Sequence, residues 1–139
     1  MMKFLAPTLR MILSQASLTR LEEVRIRLNR PLMIKDARGC VFLSAAGQPC
    51  PPLHGYVVNR DDLDRTLQLV TDSSWYAWEQ EIQGGYLTLP GGHRVGMGGQ
   101  AVYSDGRLKT IKNISSLNFR QAREVIGAAD PVFQNVMLP

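Results

Sequence analysis

The 139-residue sequence holds two cysteines, Cys40 and Cys50, two histidines, His54 and His93, and no Gly-Lys pair. Two cysteines are too few for a disulfide framework, and no Cys/His set has zinc-ligand spacing, so reduced thiols and no metal site are expected. Without Gly-Lys there is no G-x-x-x-x-G-K-[ST] loop, whose lysine would reach the β/γ-phosphates of a nucleotide. Neither histidine has a sequence-apparent nucleophile with a carboxylate orienter. Glu79 and Glu81, two apart on an expected helix, cannot face each other as an acid/base pair. No catalytic residue is assigned. No apolar run approaches the roughly 18–20 residues of a membrane span. Met1-Met2-Lys3-Phe4-Leu5 imitates the start of a signal peptide, but Pro7 and Arg10 interrupt it and no small-residue cleavage site follows.

What is present suits one domain. Apolar residues at 45% suffice to fill a core, and 20% charged residues in a mixed sequence argue against disorder. The formal charge of +4 is gathered late. In residues 92–123, Arg94, Arg107, Lys109, Lys112, Arg120 and Arg123 stand against the single acid Asp105, while the rest of the chain is nearly balanced. Such a concentration points to an anionic partner.

Periodicity gives an α+β fold, with helices packed on a largely antiparallel, hairpin-rich sheet. Pro7 opens a helix over about 7–16, with Leu9, Ile12, Leu13 and Ala16 as its apolar stripe. From Glu23 the period becomes two, Val24, Ile26 and Leu28 opposing Arg25 and Arg27. Asn29-Arg30-Pro31 turns the chain into a hairpin of 32–34 and 40–43 about Asp36-Ala37-Arg38-Gly39, and 44–55 reads as loop. Asn59 with Asp61 and Asp62 starts a second helix. A third, about 74–83, carries Trp75, Tyr76 and Trp78, as core packing or as an aromatic docking surface. Strands follow at 86–89, 93–103, 107–111 and 116–123, with Asp105-Gly106 as a hairpin signal.

The glycine-dense Leu89-Pro90-Gly91-Gly92-His93-Arg94-Val95-Gly96-Met97-Gly98-Gly99 is the most informative stretch. Backbone N–H groups at Gly91, Gly92 and Gly96 could approach an anion. Arg94, Gly96, Gly98, Gln100 and Val102 share one strand face. Each interior glycine costs roughly 0.5–1 kcal/mol relative to alanine, so a close approach by ligand or backbone, or a bulge, is needed to explain the pair. Arg107, Lys109 and Ile111 alternate with Leu108 and Thr110, and Asn118 and Arg120 lie opposite Leu117 and Phe119. That basic face is either a solvated surface or an anion-facing one. His93 is read as turn-exposed or hydrogen-bonded.

Ser74-Trp75-Tyr76-Ala77-Trp78-Glu79-Gln80-Glu81-Ile82, Gly85 to Leu89 with Pro90-Gly91-Gly92-His93-Arg94-Val95-Gly96, and Arg107 to Asn118 closely resemble the N-terminal part of the stage III sporulation protein AA family. Leu21 to Arg27 and Arg30-Pro31-Leu32 fit as well, whereas Gly98 and Gln100 stand where the pattern leads one to expect Cys and Arg. The resemblance implies a secretion-type hexameric ATPase that powers a channel between mother cell and forespore. Residues 1–130 would be its regulatory and assembly domain, and 131–139, where apolar patterning resumes, the start of a linker to a P-loop domain. This segment would carry no cofactor of its own, with ATP and Mg held by that domain. Partners implied are the P-loop domain, neighbouring subunits of a homo-hexamer and membrane-embedded channel proteins, with a cytoplasmic location in the mother cell. In the wider class, basic strand residues of such a domain approach the nucleotide phosphates. Arg94 and Arg120 come first for that role, then Arg107, Lys109, Lys112 and Arg123. Arg25, Arg27 and Arg30 on the first strand face are candidates for docking a protein partner. A nucleic-acid-binding module is the rival suggested by a pI of about 9.4, although Tyr103 and Phe119 are the only aromatics among the late cations. No nucleic acid is expected as a partner.

Overall fold

A computed structural model describes residues 1–72, 80–81 and 84–122. The expected third helix and its aromatics Trp75, Tyr76 and Trp78 fall almost wholly outside these residues, as do Arg123 and the segment 131–139. The described chain is α+β: two helices and a seven-stranded antiparallel sheet.

Helix α1, Pro7–Gln15, begins on its proline and buries Leu9, Ile12 and Leu13. Helix α2, Arg60–Asp72, starts on a reciprocal cap. Asn59 Oδ1 accepts from the Asp62 N–H at 2.8 Å and Asp62 Oδ2 accepts from the Asn59 N–H at 3.1 Å. Two donors that the first turn leaves unpaired are thereby met. The helix buries Leu63, Thr66 and Val70, and Thr66 Oγ1 accepts from the Ala6 N–H, fastening the segment before α1 to α2.

The strands are β1 Glu23–Arg27, β2 Met33–Asp36, β3 Gly39–Leu43, β4 Pro49–Cys50, β5 Tyr86–Thr88, β6 Arg94–Ser104 and β7 Arg107–Arg120, in the order β4-β3-β2-β1-β7-β6-β5. The short β4 and a 3-10 turn at Pro52–His54 lie inside what the sequence reads as plain loop. One sheet face carries Ile34, Val24, Ile26, Phe119, Leu117, Val95 and Leu87, all at most 2% exposed, in one core with the buried residues of α1 and α2. Burying each such side chain contributes roughly 1.5–3 kcal/mol. Period two in β1 therefore aims the apolar set at the helices and leaves Glu23, Arg25 and Arg27 on the opposite face.

Strand β7 runs unbroken where the sequence suggests two strands, and two irregularities interrupt its pairing with β6. Between Gly98↔Ser116 and Gln100↔Lys112, β7 holds two extra residues, with Asn113 at φ 51°. Between Val102↔Thr110 and Tyr103↔Leu108, Lys109 is extra. The expected alternation is corrected accordingly. Lys109 falls in the bulge, Arg107, Thr110 and Lys112 pair with Ser104, Val102 and Gln100, and Ile111 joins Leu108 on the other face. At the tip, Asp105 (φ 53°) and Gly106 (φ 76°) give the mirror-image turn that two-residue hairpins favour.

Candidate functional site

Cross-strand register assembles the site. On the face away from the helices, one row across the sheet reads Lys35, Glu23, Arg120, Arg94, Thr88 from β2 to β5. The next reads Met33, Arg25, Asn118, Gly96, Tyr86, and a third places Arg27, Ser116 and Gly98 side by side. Directly opposed residues have Cβ atoms about 4.5–5.5 Å apart, so Arg94 and Arg120 are immediate neighbours. Arg25 and Arg27 stand on the same face. The residues assigned separately to phosphate contact and to docking share one surface. Arg30 does not: it lies in the turn after β1, where its N–H donates to Arg27 O.

The cations here are oriented. Arg94 stacks its guanidinium on the Tyr86 ring, 4.6 Å from the centroid. Such a contact contributes about 0.5–1 kcal/mol at an exposed position. Arg25 Nε lies 3.0 Å from Glu23 Oε2, and Arg120 Nε lies 3.4 Å from Glu23 Oε1. Glu23 is thus a shared counter-ion, its side chain 9% exposed against 67% for Arg120. It is a site residue that sequence reasoning missed. Period two along β1 does place it on the face of Arg25, which is the one signal available.

The floor between these cations is low. A Cβ at Gly96 would have Asn118 O as its nearest neighbour at 4.0 Å, so the space above it is open, whereas a Cβ at Gly98 would collide with Ser116 Oγ. Beside Gly96, Asn118 Oδ1 is buried with no hydrogen-bond partner among the described residues. An acceptor in that state costs roughly 1–3 kcal/mol until a donor meets it.

The remaining late cations are elsewhere. Beyond Gly98 and Ser116, β6 and β7 pair only with each other and project as a two-stranded arm. Arg107 and Lys109 sit at its tip, beside a cleft of about 460 Å³ lined by Ser104, Asp105 and Leu108 as well. Lys112 lies midway. At about 3.3 Å per residue, the tip is roughly 30 Å from Arg94. None of these three makes an ion pair among the described residues.

The glycine turn has a structural explanation at two positions. Gly91 (φ 92°) and Gly92 (φ 83°) adopt left-handed backbone, and Gly92 N–H donates to Leu89 O to close the turn. His93 is hydrogen-bonded: its Nδ1 accepts from the Ala122 N–H at 2.9 Å, tying the end of β7 to the start of β6. Burial, with the Met1 amino group adding a like charge, holds its imidazole below the usual pKa. Among the described residues, no group of three or more His, Cys, Asp or Glu is placed to hold a metal ion. No helix among them is long and apolar enough to cross a membrane.

Residues 1–138 match the family model described as "Sporulation stage III, protein AA". "Stage III sporulation protein AA" of Bacillus subtilis (strain 168) is 37% identical over 112 residues, which make up 81% of this chain and 33% of that protein. The chain therefore spans about a third of the length of that relative.

Proposed function

Because the chain belongs to the stage III sporulation protein AA family, we propose that it is the regulatory and assembly domain of a sporulation-specific secretion-type ATPase. In this reading it senses nucleotide held by an adjoining P-loop domain and does not hydrolyse it alone. The observation that supports this best is the convergence of Arg25, Arg94 and Arg120 on one open sheet face. Guanidinium groups bind phosphate oxygens through paired N–H donors and remain charged at all working pH values. ATP and Mg would sit in the P-loop domain, and this chain would bring Arg94 and Arg120 to the terminal phosphates as that domain closes. Arginines supplied in this way stabilise transition-state charge and are worth about 10³–10⁵ in rate.

The arm serves a different contact. Arg107, Lys109 and Lys112 lie too far from Arg94 to reach the same phosphate, so they face a neighbouring subunit of the hexamer or a membrane-embedded channel protein. A mother-cell location on the cytoplasmic side belongs to the same proposal.

The test is ATP turnover by the chain joined to its P-loop domain. Arg94→Ala and Arg120→Ala should each lower kcat at least tenfold with the circular dichroism spectrum unchanged, while Arg107→Ala should leave single-site turnover near wild type. Unchanged turnover in both site variants refutes nucleotide sensing. Hydrolysis by the isolated chain refutes the division of labour.

A further inference from the structure

Among the described residues, Glu23 is the acid that ion-pairs within the Arg25–Arg120–Arg94 cluster. Its side chain is nearly buried beside the exposed Arg94 and Arg120, and its carboxylate oxygens are divided between Arg25 and Arg120. Two guanidinium groups held about one carboxylate form the arrangement that an incoming phosphate would otherwise complete. We infer that Glu23 is a built-in counter-ion of this anion site: it gathers Arg25 and Arg120 while the face is empty, and a polyphosphate ligand takes its place. The inference rests on the reading that this face receives phosphate.

The balance of charges favours replacement. Arg120 is two-thirds exposed at 3.4 Å from its partner. Ion pairs of that kind are worth at most about 1 kcal/mol, so Arg120 leaves Glu23 at little cost. A triphosphate carries several negative charges, and each is attracted by Arg25, Arg94 and Arg120 together. Glu23 is fixed on β1 and cannot withdraw, so once phosphate is bound it becomes a like-charge neighbour and weakens the complex. Glutamine at this position has the same shape and can still accept one N–H bond. Glu23→Gln thus removes the repulsion while keeping the side chain's shape and its contact to one of the two arginines.

The experiment titrates the full chain and its Glu23→Gln variant with inorganic tripolyphosphate by calorimetry, at low salt and again at 0.3 M NaCl. One unit charge at about 6 Å predicts tighter binding by the variant, from roughly threefold at the dielectric of water to on the order of a hundredfold at the lower effective dielectric of a protein surface, with the gap narrowing at the higher salt. Adding Arg25→Ala to Glu23→Gln should return affinity to wild type or below. Equal or weaker binding by a folded Glu23→Gln overturns the inference, because Glu23 would then only position the arginines. Absence of binding by both chains overturns it as well. If Arg94→Ala and Arg120→Ala still depress turnover in that case, nucleotide sensing survives and the counter-ion role alone fails. Should Glu23→Gln not fold, the wild-type arginine Nε–H resonances decide. Tripolyphosphate must shift those of Arg25 and Arg120 with a common midpoint and leave Arg107 unmoved, and a static Arg25 signal overturns the proposal.

Discussion

Replacing Asp36 by asparagine should destabilise the fold by an amount that depends on pH in a defined way. Asp36 ends β2 on the core face at 2% exposure. Its carboxylate accepts from the Arg38 side chain at 2.7 and 3.0 Å, from the Arg38 N–H at 2.9 Å and from the Thr19 N–H at 3.2 Å. Arg38 Nη2 also donates to Ser17 O, and Ala37 N–H to Thr19 O, so this cluster clasps the segment after α1 to the β2–β3 hairpin. The Arg38 hydrogen bonds, outweighing burial, lower the Asp36 pKa from 3.8 to about 2. A depression of that size corresponds to stability on the order of 2 kcal/mol at neutral pH. That stability is fully present above the unfolded pKa near 3.8 and is lost as pH falls through about 2. Asp36→Asn should thus unfold at lower urea than wild type at pH 7, with a melting temperature lower by roughly 10 °C. The gap should hold at pH 5, narrow below pH 4 and close towards pH 2. A gap of the same size at pH 3 and pH 7 would refute the charge argument and assign the loss to hydrogen-bond shape alone.

The other predictions concern the β6 glycines and His93. Gly99→Ala places a Cβ 2.8 Å from Lys112 O and 3.1 Å from Asn113 O, both backbone atoms, so it should cost about 1–3 kcal/mol in chemical unfolding. Gly96→Ala meets nothing closer than 4.0 Å and should stay within about 0.5 kcal/mol of wild type, so equal losses at both sites would contradict the packing described. For His93, whose folded pKa is lowered, the unfolded chain takes up its proton first as pH falls through 6.5, and stability declines in that window. His93→Asn, which keeps an acceptor for the Ala122 N–H, should flatten the melting-temperature profile between pH 7.5 and 5.5; an unchanged slope would assign the pH response to other groups.

Local chemistry explains why much of the fold is legible in the sequence. Val24 and Ile26 reveal β1 because burial of one face imposes period two, Pro7 and Asn59 mark helix starts because each suits an unpaired first turn, and Asp105-Gly106 supplies the two positive φ angles of a tight hairpin. What is not legible is set by pairing over distance. Glu23 meets Arg120 only because β7 docks beside β1, and nothing near either residue specifies that register. The bulges are equally hidden, since Asn113 and Lys109 break an alternation that their neighbours continue. Asn113 is the weak exception, because asparagine tolerates the left-handed conformation it adopts. Glycine density at 91–99 signals special backbone but not its kind. Gly91 and Gly92 make a turn, Gly99 relieves a bulge, and Gly96 leaves the site floor low.

The register also changes what the late positive charge means. Read along the chain, Arg94 to Arg120 form one basic segment facing one anion. In the sheet that segment folds back on itself, so its two ends, Arg94 and Arg120, become cross-strand neighbours while its middle, Arg107 to Lys112, projects roughly 30 Å away. The cluster at the base recruits Arg25 from β1 and acquires a carboxylate to hold it together. Among the described residues the arm's cations make no ion pair, and the arm is anchored near its root by Arg60 Nη2, which donates to Ile114 O at 2.8 Å where β7 bulges. A two-stranded ribbon on its own is marginal in water. Holding it out from the sheet therefore relies on that anchor, on the buried Ile114 side chain and on the Leu28 N–H bond to Ser115 O. Charge that is organised at the base and left open along the arm fits two separate contacts: a compact anion at the first and a broader surface at the second.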